Sequence, residues 1–325
     1  MPEITYAQAV NSALDRALLE RAETLLYGED VAKWGGIFGC TKGLAAKHGD
    51  RVFDTPISES AILGSAVGAA LLGQRPIVEI MWVDFALVAL DQLVNQAANV
   101  RYVSRGQLTA PITVRTQQGA MPGSCAQHSQ NLEAFFAHTP GLVVGLPATA
   151  QDAYDMLLSA IWCDDPTIII ENRTLYFDRT ETVDLDGRVA PVGGARVARA
   201  GADVTVVTWS AMLRTVLGAA ESASRDGVDV EVIDLRWLQP LDMSTVLTSV
   251  AKTSRLMVVH EANRTGGFGA EIAAQVAEDA LDLLDAPVRR IAVPDSRMPA
   301  APHLQRALIP SEAHIAYQLV TLAKF

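Results

Sequence analysis

The strongest constraint on the fold is a repeated alternation of short apolar runs with longer segments of helical periodicity. Three of the strand-like runs are RPIVEIMW (75–82), APITVRTQ (110–117) and PTIIIEN (166–172). Such strands, apolar on both faces and separated by helices, are typical of parallel sheets that helices cover on both sides. We therefore predict an α/β protein built on doubly wound sheets.

The alternation is interrupted once, around residues 174–200, where the chain is charged, contains glycines and lacks a helical period. A chain of 325 residues is long enough for two domains. We predict α/β domains over 1–180 and 195–325, joined by a connecting segment over 181–194, with a small hairpin in this region.

Local signals predict several helices. Thr5 and Gln8 have the spacing of a capping box at the start of the first helix. Residues 84–104 have the pattern of one long helix. Further helices are predicted over 211–225, 242–252 and 311–323.

Composition excludes several classes of protein. The net charge of −11 argues against nonspecific nucleic-acid binding, which needs basic surfaces. No run of 18 or more uncharged apolar residues predicts a membrane span, and MPEITYAQAV resembles neither a secretory signal nor a transit peptide. Three cysteines without a C-x-x-C pair indicate a reducing compartment. We expect a cytoplasmic protein.

Glu59 is a single carboxylate between the strand-like RVFDT and an apolar helix that begins in SAILG. One interpretation is electrostatic, since a carboxylate in the first turn favours the helix and Ser58 is suited to be its N-cap. The other is functional, because the carboxyl ends of parallel strands are where open α/β sheets bind ligands. A confined carboxylate there has a raised pKa and can share a proton.

Two glycine-containing stretches have structural interpretations. The small residues at 64–66 and 68–70 predict close packing of a helix on the sheet, since a G-x-G-x-x-G directly after a strand is missing. Gly266, Gly267 and Gly269 precede a later helix and suit either an anion-binding loop or a tight turn.

His128 follows a predicted strand and a loop that contains glycine and proline. A single histidine is often structural, although its pKa suits proton transfer. This one is expected at the edge of the sheet that also carries Glu59, which makes a functional role equally plausible.

Several stretches together closely resemble the beta chain of thiamine-diphosphate-dependent 2-oxo acid dehydrogenases, and the resemblance spans nearly the whole chain in order. They are GEDVAKWGGIFGCTKGL (28–44), RVFDTPISESAILGSAVGAAL (51–71), DQLVNQAAN (91–99), QHSQNLEAFFAHTPGL (127–142) and GGFGAEIAA (266–274).

The resemblance implies a pyrimidine-binding α/β domain followed by a transketolase C-terminal-type domain. It implies that thiamine diphosphate is shared with an alpha chain, which holds the diphosphate and Mg²⁺ through a G-D-G…N motif. This sequence has no Gly-Asp-Gly, as expected of the beta chain. The implied assembly is an α₂β₂ heterotetramer that decarboxylates a 2-oxo acid, pyruvate before others, and transfers the acyl group to lipoyl-lysine on an acyltransferase core.

The resemblance also implies site residues. Glu59 corresponds to the glutamate that binds the pyrimidine ring nitrogen and favours the imino tautomer of the cofactor. Ile57 and Phe85 correspond to apolar neighbours of that ring, although an ordinary core role explains Phe85 equally well. His128 corresponds to a histidine near the substrate and the incoming lipoyl group.

Some members of this family hold a structural K⁺ in a turn similar to AIWCDDP (160–166). The corresponding ligands are the carbonyls of Ala160 and Cys163 together with Asp165. Cys163 stands where an aspartate is usual, and a soft thiol is a poor ligand for this hard cation.

Other functions remain open on the sequence alone. One alternative lies within the same family: a beta chain whose substrate is a branched-chain 2-oxo acid or acetoin instead of pyruvate. A split transketolase or carboligase half would use the same pyrimidine site without a lipoyl partner. A two-domain electron-transfer or nucleotide-binding protein would need no thiamine diphosphate.

The expected partner surface is acidic. The net charge and the C-terminal carboxylate of Phe325 predict that the second domain docks a basic binding module of the acyltransferase.

Overall fold

The computed structural model describes all 325 residues and divides them into two compact units. The first unit contains Met1–Gln118 and Phe135–Val192, and the second contains Gly119–Ala134 and Gly193–Phe325. Both are built on parallel sheets with helices, so the predicted α/β class is confirmed. Residues 119–134, placed by the sequence boundaries in the first domain, lie in the second unit.

Parallel strands form the centre of the first unit, where six of them lie in the order β6-β7-β5-β4-β2-β3. Its strands are β1 (Glu3–Thr5), β2 (Thr24–Gly28), β3 (Val52–Asp54), β4 (Arg75–Ile80), β5 (Thr113–Gln118), β6 (Val143–Gly145), β7 (Thr167–Asn172) and β8 (Thr180–Thr182). The interior strands β4, β5 and β7 are almost entirely buried, although β5 (TVRTQQ) is mostly polar.

The helices of the first unit begin where the sequence signals predict. Thr5 and Gln8 form the expected capping box at the start of α1. The α-helices are α1 (Tyr6–Glu20), α2 (Leu44–His48), α3 (Glu59–Leu71), α4 (Val83–Ala86), α5 (Val100–Val103) and α7 (Ala150–Trp162), with α6 (Glu133–Ala137) at the boundary between the units. Short 3₁₀ turns cover Gly49–Arg51, Leu87–Ala89 and Arg173–Leu175.

The prediction of one regular α-helix over 84–104 is wrong. The chain changes pitch from α4 to a 3₁₀ turn, then to a π-helix over Gln92–Ala97, and then to α5. The amide of Asn99 donates to the carbonyl of Asn95 at 3.1 Å, and the backbone N–H of Ala98 reaches the carbonyl of Leu93, five residues back. Side-chain amides that bond to backbone carbonyls disturb the regular ladder in this way.

The second unit has its own sheet, with strands in the order β14-β13-β10-β11-β9. Its strands are β9 (Arg196–Arg199), β10 (Val204–Thr208), β11 (Val230–Asp234), β12 (Trp237–Gln239), β13 (Leu256–Asn263) and β14 (Arg289–Val293). Its helices are α8 (Met212–Arg225), α9 (Met243–Thr253), α10 (Gly269–Asp279), α11 (Pro302–Leu308) and α12 (Glu312–Ala323), with a 3₁₀ turn at Leu281–Leu283.

The hairpin predicted near the connecting segment does not form. Strand β8 pairs antiparallel with β1, so that Glu3 lies opposite Thr182, and β9 pairs antiparallel with β11. Both pairings join segments that are distant in sequence, which local patterns do not reveal. No helix of the structure is long and apolar enough to cross a membrane.

Candidate functional site

The candidate site lies at the carboxyl edge of the first sheet. Strands β2, β3 and β4 are parallel and in register there, since Gly28 lies opposite both Asp54 of β3 and Glu79 of β4. The segments that follow these strands therefore leave the sheet at one edge, where open α/β sheets bind ligands. These segments carry Glu29, Glu59 and Phe85.

Glu59 is the first residue of α3 and is half-buried. Its carboxylate forms no hydrogen bond or ion pair within the chain, so it is available to a ligand. Ser58 occupies the N-cap position as predicted, but its side chain accepts no hydrogen bond from the helix. The favourable interaction of Glu59 with the helix dipole remains, since the carboxylate lies in the first turn.

Glu29 is a second carboxylate at this edge, and the sequence analysis did not single it out. It directly follows β2 and is half-buried. Burial, followed by the negative charges of Glu59 and Asp30, raises the pKa of Glu29 above its ordinary value. Its position could have identified it from the sequence, because it is an acidic residue directly after a buried parallel strand.

Asp54 fixes the loop that carries Glu29. Its two carboxylate oxygens accept hydrogen bonds from the backbone N–H groups of Ala32 at 2.6 Å and Lys33 at 3.1 Å. The N–H of Thr55 donates to the carbonyl of Gly28 at 2.9 Å. The loop after β2, which carries Glu29, and the end of β3, which precedes Glu59, are therefore held together.

Ile57 and Phe85 are the apolar candidates. Ile57 is 83% exposed and lies two residues before Glu59. Phe85 lies in α4, is half-buried, and meets the edge of Trp82 with the ring centroids 6.4 Å apart. Ser60 donates to the carbonyl of Val88 at 2.8 Å, which joins the start of α3 to the segment that carries Phe85.

His128 lies in the segment that follows strand β5 of the first sheet. Strand β5 ends at Gln118, and the following segment 119–134 belongs to the second unit, so His128 does too. The side chain is half-buried. The sequence pattern identified the strand before His128 but contained no signal for the unit in which the loop would pack.

A buried cluster of three charged side chains joins the central strands of the same sheet. Arg115 donates from Nε and Nη2 to the two carboxylate oxygens of Glu171 at 2.7 and 2.9 Å, and from Nη1 to Glu79 at 2.6 Å. Tyr176 donates to Glu171 at 2.6 Å. All three charged groups are fully buried, and burial raises the pKa of Glu79. The cluster links β4, β5 and β7 through charge-assisted bonds.

The turn after α7, which was expected to resemble a K⁺ site, is occupied by guanidinium groups. Arg75 donates to the carbonyls of Ile161 at 3.1 Å and Cys163 at 3.0 Å, and pairs with Asp164. Arg101 donates to the Asp165 carboxylate at 2.6 Å. The Ala160 carbonyl accepts the backbone N–H of Cys163. These donors use the same oxygen atoms that a K⁺ would need, so the site fits that ion poorly.

The glycines before α10 serve packing. A Cβ atom on Gly267 would lie 2.6 Å from a carbon of the His260 ring, and one on Gly269 would lie 2.8 Å from another. His260 is fully buried, stacks on Trp209 with the ring centroids 5.2 Å apart, and burial lowers its pKa to about 4. The tight-turn interpretation accounts for these glycines.

The small residues of α3 only partly pack on the sheet. Ala66 and Ala70 are buried, but a Cβ atom on Gly68 would meet nothing within 4 Å. Ala61, Ser65, Gly68 and Leu72 share one exposed face of the helix. Close packing within this chain therefore explains only part of the pattern.

Two family models match the chain. The transketolase pyrimidine binding domain matches residues 2–178, and the transketolase C-terminal domain matches residues 193–315. The structure is also similar to a split gene transketolase described as an inactive beta4 tetramer, with a TM-score of 0.80 and 22% identity over 99% of this chain and 100% of that one.

Curated relatives match over almost the full length. The acetoin:2,6-dichlorophenolindophenol oxidoreductase subunit beta of Cupriavidus necator is 42% identical over 97% of this chain and 96% of its own. The pyruvate dehydrogenase E1 component subunit beta-2 of Oryza sativa is 44% identical over 95% and 83%. The corresponding beta subunit of Staphylococcus epidermidis is 39% identical over 100% of both chains.

Proposed function

The chain belongs to the family of beta chains of thiamine-diphosphate-dependent 2-oxo acid dehydrogenases, and we propose that it is the beta subunit of a decarboxylating component. With an alpha subunit it acts on a 2-oxo acid, pyruvate before others, and passes the acyl group to lipoyl-lysine of an acyltransferase core. The observation that carries the proposal is the Glu59 carboxylate, which has no partner within the chain and lies beside the exposed Ile57.

The residues at the sheet edge fit the pyrimidine half of the cofactor. Thiamine diphosphate, when bound, supplies the nucleophilic carbon and the electron sink for decarboxylation. Glu59 offers a carboxyl group to a ring nitrogen, while Ile57 and Phe85 offer apolar surface to a flat ring. The sequence has no Gly-Asp-Gly, so the diphosphate and Mg²⁺ are assigned to the alpha subunit.

Glu29 and Glu59 lie on adjacent loops of the same sheet edge, and burial, followed by the charge of Glu59, raises the pKa of Glu29. Glu59 is proposed to exchange a proton with a ring nitrogen of the cofactor. His128 is proposed to orient the substrate carboxylate or to supply a proton during acyl transfer.

The exposed face of α3 supports assembly with other subunits. Leu72 is 84% exposed, and its neighbours on that face, Ala61, Ser65 and Gly68, are small. A helix that is apolar all round is normally covered by protein. This face is proposed as a contact in the α₂β₂ heterotetramer, and the protein is proposed to be cytoplasmic.

We propose that the turn at 160–166 binds no K⁺, because Arg75 already donates to the carbonyl of Cys163 and Arg101 to the carboxylate of Asp165. Docking to the acyltransferase is proposed to be electrostatic, because the chain has a net charge of −11. Binding should therefore weaken as salt concentration rises.

Acetoin is the second candidate substrate, because the Cupriavidus relative is named for acetoin. The test is reconstitution with the alpha chain encoded nearby, identified by its G-D-G…N motif. Turnover of pyruvate, branched-chain 2-oxo acids and acetoin is then measured with and without thiamine diphosphate. Activity that needs no thiamine diphosphate would refute the proposal, and carboligation that is indifferent to the acyltransferase would favour a split transketolase or carboligase.

A further inference from the structure

The segment that carries His128 is attached to the second unit by hydrogen bonds at its start. The backbone N–H of Ala120 donates to the carboxylate of Glu261 at 3.1 Å. The N–H of Gly123 donates to the carbonyl of Ala300 at 3.0 Å. These bonds fix the chain directly after β5 but leave the loop beyond it to be held by side chains.

Gln305 holds the first part of that loop. It lies on α11, is only 4% exposed, and donates from Nε2 to the carbonyl of Met121 at 2.9 Å and to that of Pro299 at 2.8 Å. One buried amide thus joins the His128 loop to the segment that precedes α11. A carboxylate of the same shape would repel both carbonyls.

Arg297 holds the other end of the loop. Its Nη1 donates to Oε1 of Gln130 at 2.7 Å, two residues after His128. Between the two attachments, Ser124 and Ser129 are joined through their hydroxyl groups at 2.6 Å, and Ser129 is adjacent to His128. The imidazole therefore sits on a closed loop with one anchor on each side.

A small cavity adjoins the loop. A cavity of about 50 Å³ lies beneath it, lined among others by Asn131, Glu261, Asn263, Arg297 and Met298. This volume accommodates a few water molecules and is too small for a further ligand. Because side-chain packing leaves this space open, the hydrogen bonds of Gln305 and Arg297 add support to the loop at this place.

We propose that Arg297 and Gln305 are positioning residues for His128, holding its loop in the place where the substrate or the lipoyl group meets it. The role rests on the proposed function. Both residues are assigned to act through the loop and not on the reacting atoms. Loss of one such hydrogen bond corresponds to a decrease of about fivefold in kcat/KM when the bond matters only to the reactive arrangement.

The experiment uses the reconstituted complex and measures decarboxylation with a dye acceptor and acyl transfer to a lipoyl domain separately. His128→Asn first shows which half-reaction needs the imidazole. Arg297→Leu, Gln130→Leu and Gln305→Glu are expected to slow that same half-reaction, and Arg297→Lys to restore it. The double variant Arg297→Leu/Gln130→Leu should be no slower than the worse single variant, because each substitution removes the same hydrogen bond between Arg297 and Gln130.

Arg306→Leu is the matched control, since Arg306 is exposed on α11 and makes no bond to the loop. Hydrogen exchange of residues 119–130 provides a readout independent of activity, and it should accelerate in Arg297→Leu and Gln305→Glu but not in Arg306→Leu. Unchanged exchange, or additive effects in the double variant, would overturn the positioning role. An inactive wild-type complex would instead refute the proposed function, while the exchange data still test the anchors.

Discussion

The carboxylate of Glu59 acts on that of Glu29 at the edge of the first sheet, and together with burial it keeps the pKa of Glu29 above its ordinary value. The two residues follow neighbouring parallel strands, β3 and β2, and their loops are joined through Asp54. The edge thus contains two carboxyl groups, and the charge of Glu59 is one cause of the raised pKa of Glu29.

Glu59→Gln should abolish most of the decarboxylation. The amide keeps the size of the side chain but cannot exchange a proton with a ring nitrogen, so we expect a decrease of at least about 100-fold in kcat. Carbon dioxide release by the reconstituted enzyme measures it. Ser58→Ala is the control and should retain activity, because the Ser58 side chain caps nothing. Near-normal turnover of Glu59→Gln would exclude the proposed role.

The titration of Glu29 should respond to Glu59. Removing the neighbouring charge in Glu59→Gln removes one of the causes that raise the pKa of Glu29, so that pKa should fall. Carboxyl infrared or NMR titration of the isolated chain, assigned with Glu29→Gln, detects the shift. An unchanged pKa would mean that the two side chains do not interact in solution.

Arg115→Met should destabilise the first unit by about 3–5 kcal/mol, because it leaves two buried carboxylates without their shared partner. Urea unfolding measures the loss. Glu79→Gln is the matched comparison and should cost less, since it retains an acceptor for Arg115 and removes one buried carboxylate. Equal losses in the two variants would contradict this account of the cluster.

Acid should weaken the second unit through His260. Burial lowers the pKa of His260 from 6.5 to about 4, so the unfolded chain binds the proton more readily in that range. The free energy of unfolding is therefore unaffected by the titration of His260 above about pH 6.5. It falls by up to about 3 kcal/mol as the pH approaches 4. His260→Gln should flatten this slope in denaturant unfolding, whereas the exposed His303→Gln should not.

Thermal stability should be the same in KCl and NaCl, because guanidinium groups already engage the turn after α7. Differential scanning fluorimetry measures the Tm in both salts. Arg75→Met should lower the Tm in both, since it leaves the carbonyls of Ile161 and Cys163 without this donor. A Tm that rises specifically with K⁺ would show that the ion binds there after all.

Local sequence signals predicted much of this fold. The capping box at Thr5 and the helices ending near Arg225, Thr253 and Ala323 follow from short-range patterns, and they form as expected. The pairing of β8 with β1 joins residues 179 positions apart at Glu3 and Thr182, and no local pattern encodes it. Glu59 was identified through its motif, whereas the importance of Glu29 depends on a neighbour across the sheet.

The crossing of residues 119–134 into the second unit has a consequence for biosynthesis. Met121 leaves the ribosome long before Gln305, its hydrogen-bond partner, which is 184 residues further along the chain. The six parallel strands β2 to β7 can therefore pair during translation while the loop with His128 still lacks its support. The half-finished polypeptide should expose that loop to proteases and chaperones until the last helices emerge.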